Sequence, residues 1–209
     1  FHEGLRGDLQ VLTTRMFLEE TAREEEERML RDSLPVAAEL IRTLRPHLTV
    51  FGCTSAGSLC GMEGDRRILR ELGEKTGGPA VSILSSLEED FSELGVRRLA
   101  VFTPYVEELN RTIRQSLEEG GYEVLSIDGM GIRENMAIGR VRPEEIVAFA
   151  RERFRAEDAE CLFFSCTNLA AVRALPLLRE AFDLPITTSN LAALHAVERR
   201  LAARAAGAA

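Results

Sequence analysis

The sequence predicts an α/β fold built from two similar units of parallel sheet and helix. Three observations carry this expectation. Short apolar runs alternate with longer segments of helical period along the whole chain. The runs are apolar on both faces, as strands buried in a parallel sheet are, instead of alternating with polar residues. One pattern also occurs twice. Leu48-Thr49-Val50-Phe51-Gly52-Cys53-Thr54-Ser55 and Leu162-Phe163-Phe164-Ser165-Cys166-Thr167-Asn168 each run from an apolar strand through a small residue into Cys-Thr and a short polar residue that opens a helix.

Taken in order, strands are expected over residues 10–13, 48–53, 80–84, 99–103, 123–127, 161–166 and 186–187. The first helix spans 22–31, with Thr21 and Glu24 spaced as a capping box, and 34–44 continues it after Ser33 and Pro35. Further helices cover 66–75, 87–94, 106–119, 143–155, 169–182 and 191–205. Gly77-Gly78-Pro79 and Gly120-Gly121 punctuate the pattern. The duplication continues downstream, where Pro79 and Pro185 each precede a strand, followed by Ser85-Ser86 and Ser189-Asn190 before a new helix. Residues 1–84 with 190–209 are expected to form one unit and 85–189 the other. The charge-dense run Glu24–Glu27 reads as a solvated helix face.

Composition narrows the function. The chain has 209 residues and a net charge of −8, from 34 acidic and 26 basic side chains, which argues against a nucleic-acid partner. No apolar run approaches the ~20 residues of a membrane-spanning helix, and no signal segment opens the chain, so the expected address is cytoplasmic. Lys75 is the sole lysine and lies in a helix-to-strand turn, a poor place for a pyridoxal Schiff base. The four cysteines, Cys53, Cys60, Cys161 and Cys166, form no Cys-x-x-Cys pair, and only His2, His47 and His195 could join them on a metal. No metal site is expected. Gly129-x-Gly131 lacks the third glycine of a dinucleotide loop, since residue 134 is Glu.

Cys53 and Cys166 stand at the carboxyl ends of strands, where open parallel sheets bind ligands, and each immediately precedes a helix. Amides and the helix dipole at that point favour an anion. The same field favours a thiolate, so both thiols are expected to be more acidic than the ~8.5 of a free cysteine. Facing each other across one cleft, they could approach a substrate carbon from opposite sides, one attacking or taking a proton while the other donates. Cys60 and Cys161 lack this context and read as core residues.

Phe51-Gly52-Cys53-Thr54-Ser55, Thr103-Pro104-Tyr105, and Ser165-Cys166-Thr167-Asn168-Leu169 followed by Ser189-Asn190 resemble the aspartate/glutamate racemase superfamily. Within it they look most like the maleate cis-trans isomerase and arylmalonate decarboxylase branch. Thr14-Arg15-Met16 is similar to that branch's second strand and the turn after it. The resemblance implies two α/β units about a pseudo-twofold axis with the active site between them, no metal, no organic cofactor, and a homodimer or higher even homo-oligomer. It implies a small mono- or dicarboxylate substrate. In maleate isomerases the first cysteine, here Cys53, adds to the double bond, and Cys166 matches the second. Arylmalonate decarboxylases keep only the second cysteine and carry glycine at the first position, so Cys53 argues against a simple decarboxylase. By the same resemblance Tyr105 contacts substrate, Asn135 binds a carboxylate, and the backbone around Thr54, Ser55, Thr167 and Asn168 holds carboxylates. The branch opens with a strand and a Pro-Ser-Ser-Asn-type loop not found after Phe1, and the expectation is of an incomplete N-terminal segment, leaving one site residue unassigned. The expected activity is conversion of maleate to fumarate. An amino-acid or hydantoin racemase, an arylmalonate decarboxylase-like enzyme and a non-catalytic acid-binding protein are the alternatives.

Overall fold

The computed structural model describes residues 9–207. Its helices are α1 (Arg23–Arg28), α2 (Leu34–Arg42), α3 (Thr54–Leu59), α4 (Gly61–Thr76), α5 (Ile83–Leu94), α6 (Glu107–Glu119), α7 (Asn135–Ile138), α8 (Pro143–Arg153), α9 (Ala171–Ala181) and α10 (Ser189–Ala205). Its strands are β1 (Thr49–Phe51), β2 (Ala80–Ser82), β3 (Arg98–Thr103), β4 (Glu123–Gly129), β5 (Cys161–Phe164) and β6 (Ile186–Thr188). All ladders are parallel. β1 pairs with β2, and the second sheet runs β4-β3-β5-β6.

The order within the larger sheet follows from burial. Every residue of β5 is fully buried, as are Leu99, Ala100, Val101 and Phe102 of β3, so these strands take the centre with helices over both faces. β4 begins on exposed Glu123 and is only partly covered beyond Val124, as suits an edge. Phe102 stacks on Phe164, and Phe91 of α5 meets Phe163 edge-on, which ties helix to sheet. A smaller core of Met29, Ala38, Phe51, Ala56, Ile68 and Leu72 surrounds β1 and β2. Helices α5 and α10 pack together and both touch β2, while α10 also touches β6, so this pair joins the two sheets.

Several local expectations are corrected. Residues 10–13 and 14–16 form no strand: most of this segment is exposed, and it buries too little to pair. The isolated antiparallel bridge among the described residues, Glu20 with Glu134, lies beyond this segment. Thr21 does not cap α1. Its hydroxyl donates to the carbonyls of Ile132 and Arg133, docking the segment onto the loop after β4. The first two helices form one run, widened into a π turn over Met29–Ser33 just before Pro35, whose missing amide breaks the α-helical ladder.

The duplicated helix starts also lie earlier than expected. Ser82 caps α5 in a reciprocal box with Ser85, and Thr188 caps α10 by accepting from the Leu191 amide at 3.0 Å. Pro-x-x-Ser82 and Pro-x-x-Thr188 are therefore the matched positions, which frees Ser189 for another task. The division at 84/85 falls inside the first turn of α5.

Candidate active site

Both cysteines of the duplicated pattern lie just beyond strand ends, and side chains stitch their two turns together. Cys53 follows β1 and is the N-cap residue of α3. Cys166 follows β5 with φ of +108°, a left-handed conformation that costs an L-residue roughly 1–3 kcal/mol and persists only where its surroundings enforce it. They do so here. The Cys166 amide donates to Ser189 Oγ at 3.0 Å, and Thr54 Oγ1 donates to the same oxygen at 2.9 Å. Thr167 Oγ1 donates to the Gly52 carbonyl at 3.0 Å, and Asn190 Nδ2 to the Thr167 carbonyl at 2.9 Å. The thiols are close enough for the charge of one to act on the other. Ser189 thus holds both cysteine turns.

Tyr105 completes the niche. Its amide donates to Thr103 Oγ1 at 3.0 Å, and Thr103 Oγ1 donates to Asn110 Oδ1 at 2.6 Å. Its carbonyl accepts from Gly131 at 3.1 Å. Gly129 is essential to this clamp, since a Cβ there would lie 2.2 Å from the Tyr105 carbonyl oxygen. The buried Tyr105 hydroxyl donates to the Cys166 sulfur, which also receives the amides of Asn168, at 3.3 Å, and Leu169. The Ala56 amide and the Ser55 hydroxyl face Cys53, with Ser55 Oγ 3.8 Å from its sulfur. An amide at the start of α3 thus points at the Cys53 sulfur, whereas the Cys166 sulfur meets turn amides, because the next helix begins at Ala171 and not directly after Cys166 as expected.

These donors do not make the thiols acidic, and here the expectation is corrected. Burial pushes Cys53 up to about 12, and Glu26 adds to it. Cys166 is raised too, because desolvation outweighs Tyr105 and the two amides. At Cys53 the start of α3 supplies a helix-terminus field, which loses to the dry surroundings. Tyr105 is held well above its ordinary value by burial and by the cysteines it faces.

Glu26 was missed in the sequence. Glu24 and Glu27 of the same run are exposed, as a solvated face requires, but Glu26 is completely buried. Its charge acts on Cys53, Cys166 and Tyr105. Neither carboxylate oxygen has a hydrogen bond of full geometry within the described residues. Desolvation lifts it to about 7, and the nearby Ser55 hydroxyl offsets only part of that rise. The available signal was helical spacing: Glu26 shares a face with Met29 and Leu30, which turn inward.

The remaining expected residues fall at the rim. Asn135 begins α7, where its Nδ2 donates to the Leu18 carbonyl at 3.0 Å. Asn168 Nδ2 donates to the Asn135 carbonyl and Oδ1 at 2.7 and 2.8 Å. Both amide side chains are therefore engaged with each other and with the segment before α1. Thr54 and Ser55 are buried, whereas Thr167 is partly exposed. Cys161 lies in the core of β5, and Cys60 ends α3. His195 pairs with Asp90, Nδ1 to Oδ1 at 2.6 Å, and so serves the α5–α10 contact. Among the described residues no three His, Cys, Asp or Glu side chains are grouped to hold a metal. No described helix is long and apolar enough to cross a membrane.

The fold and the paired strand-end cysteines define a protein of the aspartate/glutamate racemase-like class. Within that class the chain belongs to the arylmalonate decarboxylase family, whose sequence model matches residues 7–209. It is 22% identical over 161 residues to a maleate isomerase of Nocardia farcinica, covering 75% of this chain and 64% of that protein. It is 27% identical over 118 residues to the arylmalonate decarboxylase of Bordetella bronchiseptica, covering 56% of this chain and 49% of that one. The chain thus spans about half to just under two thirds of these two relatives. In fold it matches the N. farcinica maleate cis-trans isomerase, solved as a cysteine-to-serine mutant with a covalently bound succinylcysteine intermediate. That match has a TM-score of 0.84 at 21% identity and covers 90% of this chain and 78% of the other.

Proposed function

We propose that this chain is a cofactor-independent two-cysteine isomerase of a small carboxylic acid, converting maleate to fumarate. The observation that carries the proposal is the pairing of Cys53 and Cys166, at matched strand ends, around one buried niche with Tyr105. Residues 1–84 with 190–209 and residues 85–189 are its two units, and Thr54, Ser55, Tyr105, Asn135, Thr167 and Asn168 surround the substrate.

Because both thiols are held protonated, the reaction starts from a neutral pair. Cys53 sulfur forms a bond to one alkene carbon, and the π electrons move to the other, stabilised by its carboxylate. Cys166 gives its proton to that second carbon and receives the proton of Cys53, so the pair keeps its net charge. The former double bond is now single and rotates. The steps then reverse: Cys166 removes the proton, the electrons re-form the double bond in the trans geometry, and Cys53 sulfur leaves. Tyr105 and the Asn168 and Leu169 amides stabilise Cys166 while it is ionised.

The relatives' names support this reading, since a maleate isomerase and an arylmalonate decarboxylase both act on small carboxylates. Cys53 favours the isomerase over the decarboxylase. Proton NMR in D₂O with maleate, D-aspartate and phenylmalonate, each separately, tests it. Fumarate from maleate is expected; deuterium exchange at the aspartate α-carbon or decarboxylation of phenylmalonate, without fumarate, would replace it with a racemase or decarboxylase.

A further inference from the structure

A carboxyl group with no cation beside it and no water to solvate it sheds its charge by holding a proton. Glu26 is in that position. It is completely buried, and among the described residues its oxygens have no hydrogen bond of full geometry. Ser55 at the start of α3 is its hydrogen-bonding neighbour, and its charge reaches Cys53 beside Ser55, Tyr105 in the turn after β3 and Cys166 in the turn after β5. The charged neighbours on its own helix pair outward, Arg23 with Glu27 and Arg28 with Glu25. A protonated carboxyl has one O–H to donate, and among the described residues only the Ser55 hydroxyl lies near it, without a hydrogen bond of full geometry. Among the described residues, no arginine, lysine or histidine acts on either cysteine.

We propose that Glu26 binds substrate in its protonated form, donating its O–H to a carboxylate of a dicarboxylic acid held between Cys53 and Cys166. The inference rests on the isomerase reading for the placement of substrate between the thiols. It deepens that reading by specifying how a second negative charge is accepted: one proton is shared between Glu26 and the ligand. Above the midpoint of Glu26, near 7, this proton must be taken from solvent as the ligand binds. Kd should then rise about tenfold per pH unit, with about one proton taken up per ligand.

The test uses the full chain and succinate, a saturated dicarboxylate that cannot react at an alkene. Calorimetry from about pH 5 to about pH 9, in buffers of different ionisation enthalpy, measures Kd and proton uptake together. Affinity should be flat below the midpoint and fall about tenfold per unit above it, with uptake approaching one proton. Glu26→Gln, whose amide donates at every pH, should bind with a flat profile and no uptake. Infrared difference spectra of the wild type should show a protonated carboxyl band that shifts on succinate binding, which keeps the test intact if the variant does not fold. A flat wild-type profile, the same slope in Glu26→Gln, or no binding overturns the proposal. So does binding that strengthens as Glu26 ionises, the mark of a ligand carrying a cation, such as aspartate. Turnover of maleate is read separately. Fumarate production with pH-independent succinate binding removes the role of Glu26 alone, and proton-linked binding without fumarate removes the isomerase reading alone.

Discussion

Replacing Glu26 with Gln should change stability by an amount that depends on pH and increasingly favours the variant as pH rises. The carboxyl is raised from 4.5 to about 7 by complete burial, which corresponds to about 3 kcal/mol. The folded state therefore holds this proton more tightly than the unfolded chain. Stability from Glu26 is fully present below 4.5, falls by about 1.4 kcal/mol per unit as pH rises toward 7, and is lost above it. Glutamine keeps the shape and carries no charge. Urea unfolding of both proteins from about pH 4 to about pH 8 gives a difference in which every other carboxylate cancels. That difference should move by about 3 kcal/mol in favour of the variant between the two ends. Parallel stability curves would refute the reasoning, because they would mean Glu26 has the same proton affinity folded and unfolded.

Other expectations follow from the same contacts. Alkylation of Cys53 by iodoacetamide at neutral pH should be slower than that of a free thiol by on the order of a thousandfold and should climb with pH past 9, as read by peptide mass spectrometry; fast neutral-pH reaction would contradict the burial argument. Ser189→Ala leaves the Cys166 amide and the Thr54 hydroxyl without their shared buried acceptor, so urea unfolding should show a loss of about 1–3 kcal/mol, with reduced turnover of maleate. Gly129→Ala forces the Tyr105 carbonyl away from its 2.2 Å approach and should cost about 1–3 kcal/mol, again by urea unfolding. Cys53→Ala should abolish fumarate production while succinate still binds, whereas a decarboxylase would tolerate Cys53→Gly and require Cys166.

The sheet architecture was legible because burial leaves a plain mark on parallel strands: Leu99–Phe102 and Leu162–Phe164 are apolar on both faces. The cysteine pair was legible because its flanks repeat. Helix starts were less so, since Ser82 and Thr188 compete with Ser85 and Ser189 for the same capping task, and only three-dimensional contacts decide between them. The thiol acidity is misjudged from sequence because a strand end before a helix is visible there, whereas the burial of Cys53 and Cys166, and the Glu26 charge that adds to it, come from tertiary packing. Glu26 itself was hidden by its exposed neighbours Glu24 and Glu27. Residues 10–16 have an apolar pattern of strand type but too little burial to form one.

Intact-mass analysis after acid quench tests the central claim most directly. The full chain is mixed with excess maleate, quenched, digested and sequenced by tandem mass spectrometry, alongside Cys53→Ala and Cys166→Ser. A succinyl adduct on Cys53 is expected in the wild type, more abundant in Cys166→Ser, where the hydroxyl is too weak an acid–base partner to complete the return step, and absent from Cys53→Ala. No adduct in either cysteine-53 protein, together with fumarate production by Cys53→Ala, would contradict it.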